Sequence, residues 1–292
     1  MNSRKSVGLF LLVGVLWGVP YLLIKIAVAE FSTPMVVFSR VLIGALILLP
    51  IAIKQGAIAP AKKYWKLIVV YAILEMVGPW YLISSAEKNI SSGLAGLLVA
   101  TVPIWATIFA SINGDKTVWH STRLFGLVFG FAGLVALVGI ESITGNSSIT
   151  SIAMVLLASI LYAYAVNMIT QKMPGVSGIA LNGIAMGIAA IFFAPFAYAQ
   201  WPTGAIPQDA IWSIIGLGVL CTAVAFVIFF KVMDDIGPAR DSLVTYINTA
   251  FAVLLGVLIL SEPLTLGIMV GLPMVLVGSY FASRKPATFS SR

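Results

Sequence analysis

The chain has 292 residues, of which 60% are hydrophobic and only 9% are charged, and its mean hydropathy is +1.07. Soluble globular proteins carry about a quarter charged residues, so this composition excludes a water-soluble fold. Ten membrane-spanning helices of about 20 residues each, with short connections, would use the whole length. That leaves no room for a soluble catalytic domain or a nucleotide-binding domain.

The net charge of +7 would suggest a nucleic-acid partner if the protein were soluble. Here the cations cluster in short connections between apolar segments, and we interpret them as determinants of membrane orientation. We therefore expect no nucleic-acid partner, and expect membrane lipids and a small solute instead. The single cysteine, Cys221, lies within an apolar run and cannot form an intrachain disulfide.

Apolar stretches of spanning length recur along the chain and predict ten transmembrane helices. They lie near residues 7–29, 34–53, 66–86, 91–112, 122–140, 150–170, 177–199, 210–232, 242–260 and 265–283. Turn-forming and charged segments separate them. Arg4 and Lys5 before the first stretch, with Ala27–Ala29 near its end, resemble a cleaved signal peptide. That stretch is longer than a signal core, so we expect it to be retained as a helix.

The distribution of Lys and Arg predicts the orientation of these helices. If the amino terminus is cytoplasmic, 14 of the 17 cations fall on the cytoplasmic side, only Lys88 falls on the opposite side, and Lys25 and Arg40 lie within spans. The cytoplasmic set is Arg4, Lys5, Lys54, Lys62, Lys63, Lys66, Lys116, Arg123, Lys172, Lys231, Arg240, Arg284, Lys285 and Arg292. We therefore expect a multi-pass protein of the cell inner (plasma) membrane with both termini in the cytoplasm.

The second half of the chain repeats the first at an offset near 145 residues. The aligned pairs are Trp17 with Tyr162, Pro50 with Pro195, Gly126 with Gly271, Gly133 with Gly278, and Asp115 with Glu262 at an offset of 147. Because each unit has five spans, an odd number, the second unit must enter the membrane in the opposite sense. We predict an all-α fold of two inverted five-helix repeats, residues 1–145 and 146–292, around a central cavity, as in alternating-access transporters.

Several short motifs follow one another along the chain: Leu16–Gly18, Arg40–Leu42 with Gly44–Ala45, Ser92–Ala95 followed by Val102–Pro103, and Leu260–Leu264 followed by Gly271 and Gly278. Together they resemble the drug/metabolite transporter superfamily and its repeat unit, the EamA domain. Their order and spacing over nearly the whole chain carry the resemblance. It implies ten helices, export of amino acids or other metabolites, and no ATPase. The length and the aromatic-rich helices are similar to those of the bacterial aromatic amino acid exporters.

Two features depart from the family pattern. The first half carries Asp115 where the family usually has Glu, and the second half has Tyr162 and Ala185 where the first has Trp17 and Arg40. The second copy has therefore diverged from the first.

A binding site between the repeats needs polar or aromatic groups near mid-depth. Placing each span at about 1.5 Å per residue gives the candidates Trp17, Tyr21, Glu75, Trp80, Thr101, Trp105, Tyr162, Tyr164 and Asn248. Prolines such as Pro103 free main-chain carbonyls nearby, and these should face a cavity or packed protein. Trp17 and Tyr21 share a helix face and, with Trp105 and Tyr162, would form an aromatic wall for a flat side chain. Packing within the bundle is the alternative interpretation.

Three ionisable residues lie within spans, where charge is costly: Lys25, Arg40 and Glu75. We expect Lys25 or Arg40 to bind a substrate carboxylate, and Glu75 either to bind a substrate ammonium group or to carry protons. The alternative is a structural pair between Glu75 and Arg40 or Lys25. Lys25 is also close enough to a helix end to reach water.

The remaining residues favour a function other than catalysis. His120 is the only histidine and lies in a connection, so we expect no metal site and no histidine relay. No phosphate-binding loop occurs, and we expect no cofactor and no ATP-binding subunit. We predict a monomeric secondary transporter that exports neutral, aromatic or hydrophobic amino acids by alternating access. The alternatives are an exporter of another metabolite or drug, a membrane-embedded enzyme, and a lipid scramblase.

Overall fold

The computed structural model describes residues 3–144, 147–236 and 242–283, and every regular element within these ranges is a helix. The first half contains α1 (Ser3–Glu30), α2 (Thr33–Lys54), α3 (Ile58–Lys62), α4 (Trp65–Ala72), a π-helical segment (Ile73–Val77), α5 (Gly78–Ala86), α6 (Ser92–Val99), α7 (Val102–Ile112), a 3-10 turn (Lys116–Trp119) and α8 (Ser121–Thr144). The second half contains α9 (Ile149–Lys172), α10 (Gly178–Ala199), α11 (Gln208–Gly218), a π-helical segment (Val219–Val224), α12 (Ala225–Ile236), α13 (Ser242–Leu260) and α14 (Leu266–Ser283). Four of the cations counted for orientation, Arg240, Arg284, Lys285 and Arg292, lie outside the described residues.

Within the described ranges, eight helical stretches are long and apolar enough to cross a membrane. They are Val7–Glu30, Thr33–Lys54, Trp65–Ala86, Ser92–Ile112, Ser121–Glu141, Ile149–Lys172, Gly178–Ala199 and Gln208–Val232. Two shorter apolar helices, Val244–Leu260 and Leu266–Ala282, lie where the last two spans are predicted. The predicted all-helical, multi-pass membrane class is confirmed.

A wide π-helical turn interrupts one long stretch in each half. Pro79 lacks the N–H group that would bond the carbonyl of Glu75, and the turn before it widens into the segment Ile73–Val77. The segment Val219–Val224 interrupts the stretch Gln208–Val232 without a proline. The two π-helical segments begin at residues 73 and 219, which is 146 residues apart and close to the offset of the sequence repeat.

Helices of the two halves contact each other in matching pairs. α2 packs against α10, and α8 packs against α14. α1 packs against α13 and against α11 and α12, while α9 packs against α6 and α7 and against α5 and the adjoining π-helical segment. Exchanging the two halves therefore leaves this pattern of contacts unchanged.

The contact between α8 and α14 depends on glycines that allow close approach of the two backbones. A Cβ atom on Gly278 would collide with the backbone of Gly130 and would lie 2.8 Å from the carbonyl oxygen of Gly126. A Cβ atom on Gly133 would lie 2.5 Å from the Cβ of Met274. Small residues at such positions are typical of helix pairs in membranes, where van der Waals packing drives association.

Candidate functional site

A cavity of about 860 Å³ lies between the two halves of the helical bundle. Its wall extends from Ile24 on α1 and Ile83 on α5 to residues 173–176, which connect α9 to α10. The cavity therefore reaches one end of the bundle and stops short of the other. We call that other end, formed by the last turns of α1 and α5, the closed end.

The structure brings eight of the predicted site residues together around this cavity. They are Trp17, Tyr21, Arg40, Glu75, Trp80, Pro103, Tyr162 and Asn248. Six different helical stretches supply them, so the site forms only when both halves are assembled. The wall combines aromatic rings with side chains of both charges, which is the usual composition of a small-molecule site.

Two contacts from different helices hold the Arg40 guanidinium group. Its Cζ atom lies 3.7 Å from the centroid of the Trp80 ring, a cation–π contact. Its Nε donates a hydrogen bond to Oγ1 of Thr222 at 2.9 Å. Among the described residues, neither Nη atom has a hydrogen-bond acceptor. The end of the guanidinium that matches a carboxylate in a bidentate pair is therefore available at the cavity wall.

Aromatic rings form the apolar part of the wall. The Trp17 ring centroid lies 4.7 Å from that of Phe229 and 5.6 Å from that of Phe226, both on α12. Tyr21, one turn further along α1, is only 7% exposed, and Tyr162 of α9 lines the same cavity. These rings offer surface for burying and stacking a flat apolar group.

Three other predicted site residues do not line the cavity. The Thr101 hydroxyl is buried; it donates to a main-chain carbonyl at 2.7 Å and accepts from the Trp105 indole N–H at 3.2 Å. The Trp105 ring packs edge-on against Phe131 of α8. Tyr164 is 42% exposed on the outside of α9. Tyr162 and Tyr164 point in different directions because residues two apart on a helix are about 200° apart.

Lys25 lies at the closed end and does not line the cavity. Its ammonium group donates to the main-chain carbonyls of Glu87 and Ile90, at 2.8 Å for Ile90. These carbonyls follow α5, where a cation is favoured by the unsatisfied acceptors of the helix terminus. Of Lys25 and Arg40, the two residues predicted to bind a substrate carboxylate, Arg40 is the one that lies at the cavity. Arg123 also lines the cavity and pairs with Asp115 at 3.0 Å.

Polar residues that the sequence patterns do not single out also line the cavity or hold its wall. The Tyr71 hydroxyl donates to Oδ1 of Asn182 at 3.2 Å, and both residues line the cavity. Tyr71 lies four residues before Glu75 and so shares its helix face. This spacing is a feature of the sequence from which Tyr71 could have been predicted as a site residue. Asn182 and Thr222 are single polar residues in apolar helices, and only the assembled fold shows that they reach the site.

The cavity wall offers a cation, an acid and aromatic rings, which can bind a small molecule without covalent chemistry. Over the described ranges, no three His, Cys, Asp or Glu side chains lie close enough together to hold a metal ion. The fold and the site thus define a multi-pass helical membrane protein with a polar and aromatic cavity between its halves. The chain belongs to the EamA-like transporter family, whose family model matches residues 4–139 and 149–284.

Relatives of known sequence are similar over nearly the whole chain. The Bacillus subtilis protein YoaV, an uncharacterized transporter, is 25% identical, with 96% of each chain covered. The uncharacterized inner membrane transporter YedA of Escherichia coli K12 is 25% identical, covering 93% of this chain and 90% of YedA. A probable terminal-alkyne amino-acid exporter of Streptantibioticus cattleyicolor is 22% identical, covering 95% of this chain and 91% of that protein. A crystal structure of a protein 16% identical in sequence superposes with a TM-score of 0.67 over 96% of each chain, which shows that the fold is shared.

Proposed function

We propose that this transporter exports neutral amino acids with aromatic or hydrophobic side chains across a bacterial inner membrane. The available guanidinium of Arg40 would bind the substrate carboxylate, and Glu75 would attract its ammonium group. The rings of Trp17, Tyr21 and Tyr162 would surround the side chain. Arg40 carries the proposal, because a cation whose Nη atoms have no acceptor in the described part of the chain suits an anionic group of matching geometry.

Two features of the relatives support this substrate class and location. The Streptantibioticus cattleyicolor relative is named for the export of an amino acid, and YedA is named as an inner membrane transporter.

A phosphorylated substrate is disfavoured, because two or more available cations would be expected for it. At the cavity wall, the Nη donors of Arg40 have no acceptor among the residues described, whereas Arg123 is engaged with Asp115.

Transport would proceed by alternating access between two inverted repeats, residues 1–145 and 146–292, with ten spans in total. The matched helix contacts and the recurring π-helical segments support this arrangement. Both termini would be cytoplasmic, as the 14-to-1 distribution of loop cations indicates. The cavity, which reaches the α9–α10 connection, would then face the cytoplasm in this conformation, and the closed end would be the outer end. One chain would suffice, because a single copy forms the whole cavity.

Counterflow in proteoliposomes tests the proposal. Labelled phenylalanine, tryptophan, threonine and a cationic drug are each offered to vesicles preloaded with the unlabelled compound, at two pH gradients. We expect phenylalanine and tryptophan to exchange fastest, because the aromatic wall favours them. Exchange of the drug with none of the amino acids would reject the amino acid proposal and favour a drug exporter. Exchange of no solute would reject a transporter of these compounds.

A further inference from the structure

The closed end encloses a carboxyl group that the proposed binding site does not use. Glu87 directly follows α5 and is 0% exposed. Both of its carboxyl oxygens are buried, and neither has a hydrogen-bond partner among the described residues. Such a group is unusual, because buried polar side chains are nearly always hydrogen-bonded.

Two of the charged groups around Glu87, Lys25 and Glu262, are held by other partners. The Lys25 ammonium on α1 is bound by the two main-chain carbonyls that follow α5. The Glu262 carboxylate, in the connection from α13 to α14, accepts from Ser92 N at 2.8 Å, from Ser92 Oγ at 2.7 Å and from Gly93 N. Donors at the start of α6 thus hold the Glu262 carboxyl group in place. Its position beside Glu87 disfavours a second negative charge.

A carboxylate buried without a partner costs far more free energy than the neutral acid. The groups facing Glu87 are Lys25 and Tyr21 on α1, Arg40 on α2 and Glu262. Burial, first, and the nearby Glu262 raise the pKa of Glu87 well above its ordinary value, whereas Lys25 and Arg40 act in the opposite direction. The closed conformation therefore favours the protonated form of Glu87.

We propose that Glu87 is a proton-binding site of the transport cycle, loaded when the outer end closes. This inference rests on the proposed function, since it requires an end that opens to the outside. Closure would transfer one proton from the outer water to the Glu87 carboxylate as that group is dehydrated. Opening would rehydrate the carboxyl group and return one proton to the outer water.

The sign of the pH dependence follows from this exchange. The closed conformation binds one more proton than the open one between the ordinary Glu pKa of about 4.3 and the raised value. Raising the external pH therefore favours opening of the outer end. The ratio of open to closed molecules should increase by up to about tenfold per pH unit in that interval.

Thiol labelling from the outside tests the proposal. The buried native cysteine is first removed by Cys221→Ala, and Ile90→Cys, a position only 2% exposed at the closed end, then reports opening. Its labelling rate by a membrane-impermeant reagent is divided by that of the exposed Lys88→Cys, which corrects for thiol ionisation. We expect this ratio to rise from about pH 5 to 8 and to be flat in Glu87→Gln, because Gln mimics the protonated acid. Glu30→Gln, an exposed acid on the last turn of α1, should leave the slope unchanged.

An infrared measurement covers the case in which Glu87→Gln folds poorly. The wild-type protein at neutral pH should show the carbonyl stretch of a protonated carboxyl group, and Glu30→Gln should retain it. A missing band, a flat wild-type labelling ratio, or an unchanged slope in folded Glu87→Gln would each overturn the proposal. Neither experiment uses an amino acid, so these outcomes are separate from failure of counterflow.

Discussion

Arg40 and Thr222 are joined across 182 residues of sequence by a hydrogen bond from Nε to Oγ1. Thr222 lies in the π-helical segment of the second half, and Trp80, the other partner of Arg40, follows the π-helical segment of the first half. The guanidinium is thus positioned by equivalent stretches of the two repeats. A relative movement of these two stretches would therefore change the position of the guanidinium group and its contact with a bound carboxylate.

Arg40→Lys should weaken the apparent affinity for phenylalanine by about 10- to 100-fold. Lys cannot make the planar bidentate pair, and a hydrogen bond to a charged group contributes about 1.5–3 kcal/mol. The measurement is counterflow at varied phenylalanine concentration, with phenethylamine, which lacks the carboxylate, as the matched solute. Phenethylamine exchange should be unaffected by the substitution. An equal loss for both solutes would mean that Arg40 acts by holding the helices together.

Glu75→Gln should produce the complementary pattern. It should weaken the apparent affinity for phenylalanine and phenethylamine by about tenfold or more, because the ammonium group loses a charged partner. Hydrocinnamate, which has the carboxylate but no ammonium group, should bind no worse. Counterflow of the three solutes measures this directly. If the loss appears instead as an altered response to a proton gradient at unchanged affinity, Glu75 carries protons and does not bind substrate.

Tyr162→Ala and Tyr164→Ala form a matched pair on one helix. Tyr162 lines the cavity, whereas Tyr164 is 42% exposed on the outside of α9. Loss of a ring that contacts the substrate should cost about 1–3 kcal/mol, so Tyr162→Ala should weaken phenylalanine binding by about fivefold or more. Tyr164→Ala should leave it unchanged. Equal effects in counterflow would indicate that Tyr162 only packs.

The sequence is sufficient to predict the parts of the fold that depend on local chemistry. Apolar stretches of spanning length identify the helices, because lipid requires every main-chain group to be bonded within its own helix. Pro79 identifies the helix interruption that precedes it, because proline has no N–H group to bond the carbonyl four residues earlier. Depth along a helix, from counting residues, also finds six of the cavity residues, including Glu75, while a charge within a span finds Arg40 and a helix-breaking proline finds Pro103.

Rotation about the helix axis is what the sequence leaves undetermined. Trp105, Tyr162 and Tyr164 have similar depth, yet only Tyr162 reaches the cavity, because the contacts between helices decide which face turns inward. Glu87 shows a second limit. It follows a predicted span, a position typical of an exposed loop acid, but it is completely buried in the assembled bundle. Contacts between distant parts of the chain set both outcomes.

The glycines between α8 and α14 give the clearest test of the fold itself. Gly278→Ala would place a Cβ atom against the backbone of Gly130, and no side-chain rotation can relieve a backbone collision. We expect a loss of about 1–3 kcal/mol, seen as a lower Tm in detergent. Gly139→Ala, on the same α8, is the control, because its Cβ would meet no atom within 4 Å.

That control should be neutral or slightly stabilising, since Ala is favoured over Gly in a helix interior by about 0.5–1 kcal/mol. The changes in Tm for the two substitutions should therefore have opposite signs or differ clearly in size. Helix propensity alone would favour both substitutions, so the difference reports the packing of α8 against α14. If Gly278→Ala matched Gly139→Ala in Tm, α8 and α14 would not be in backbone contact. The matched pairing of the two halves, on which the alternating-access proposal depends, would then lose its closest contact.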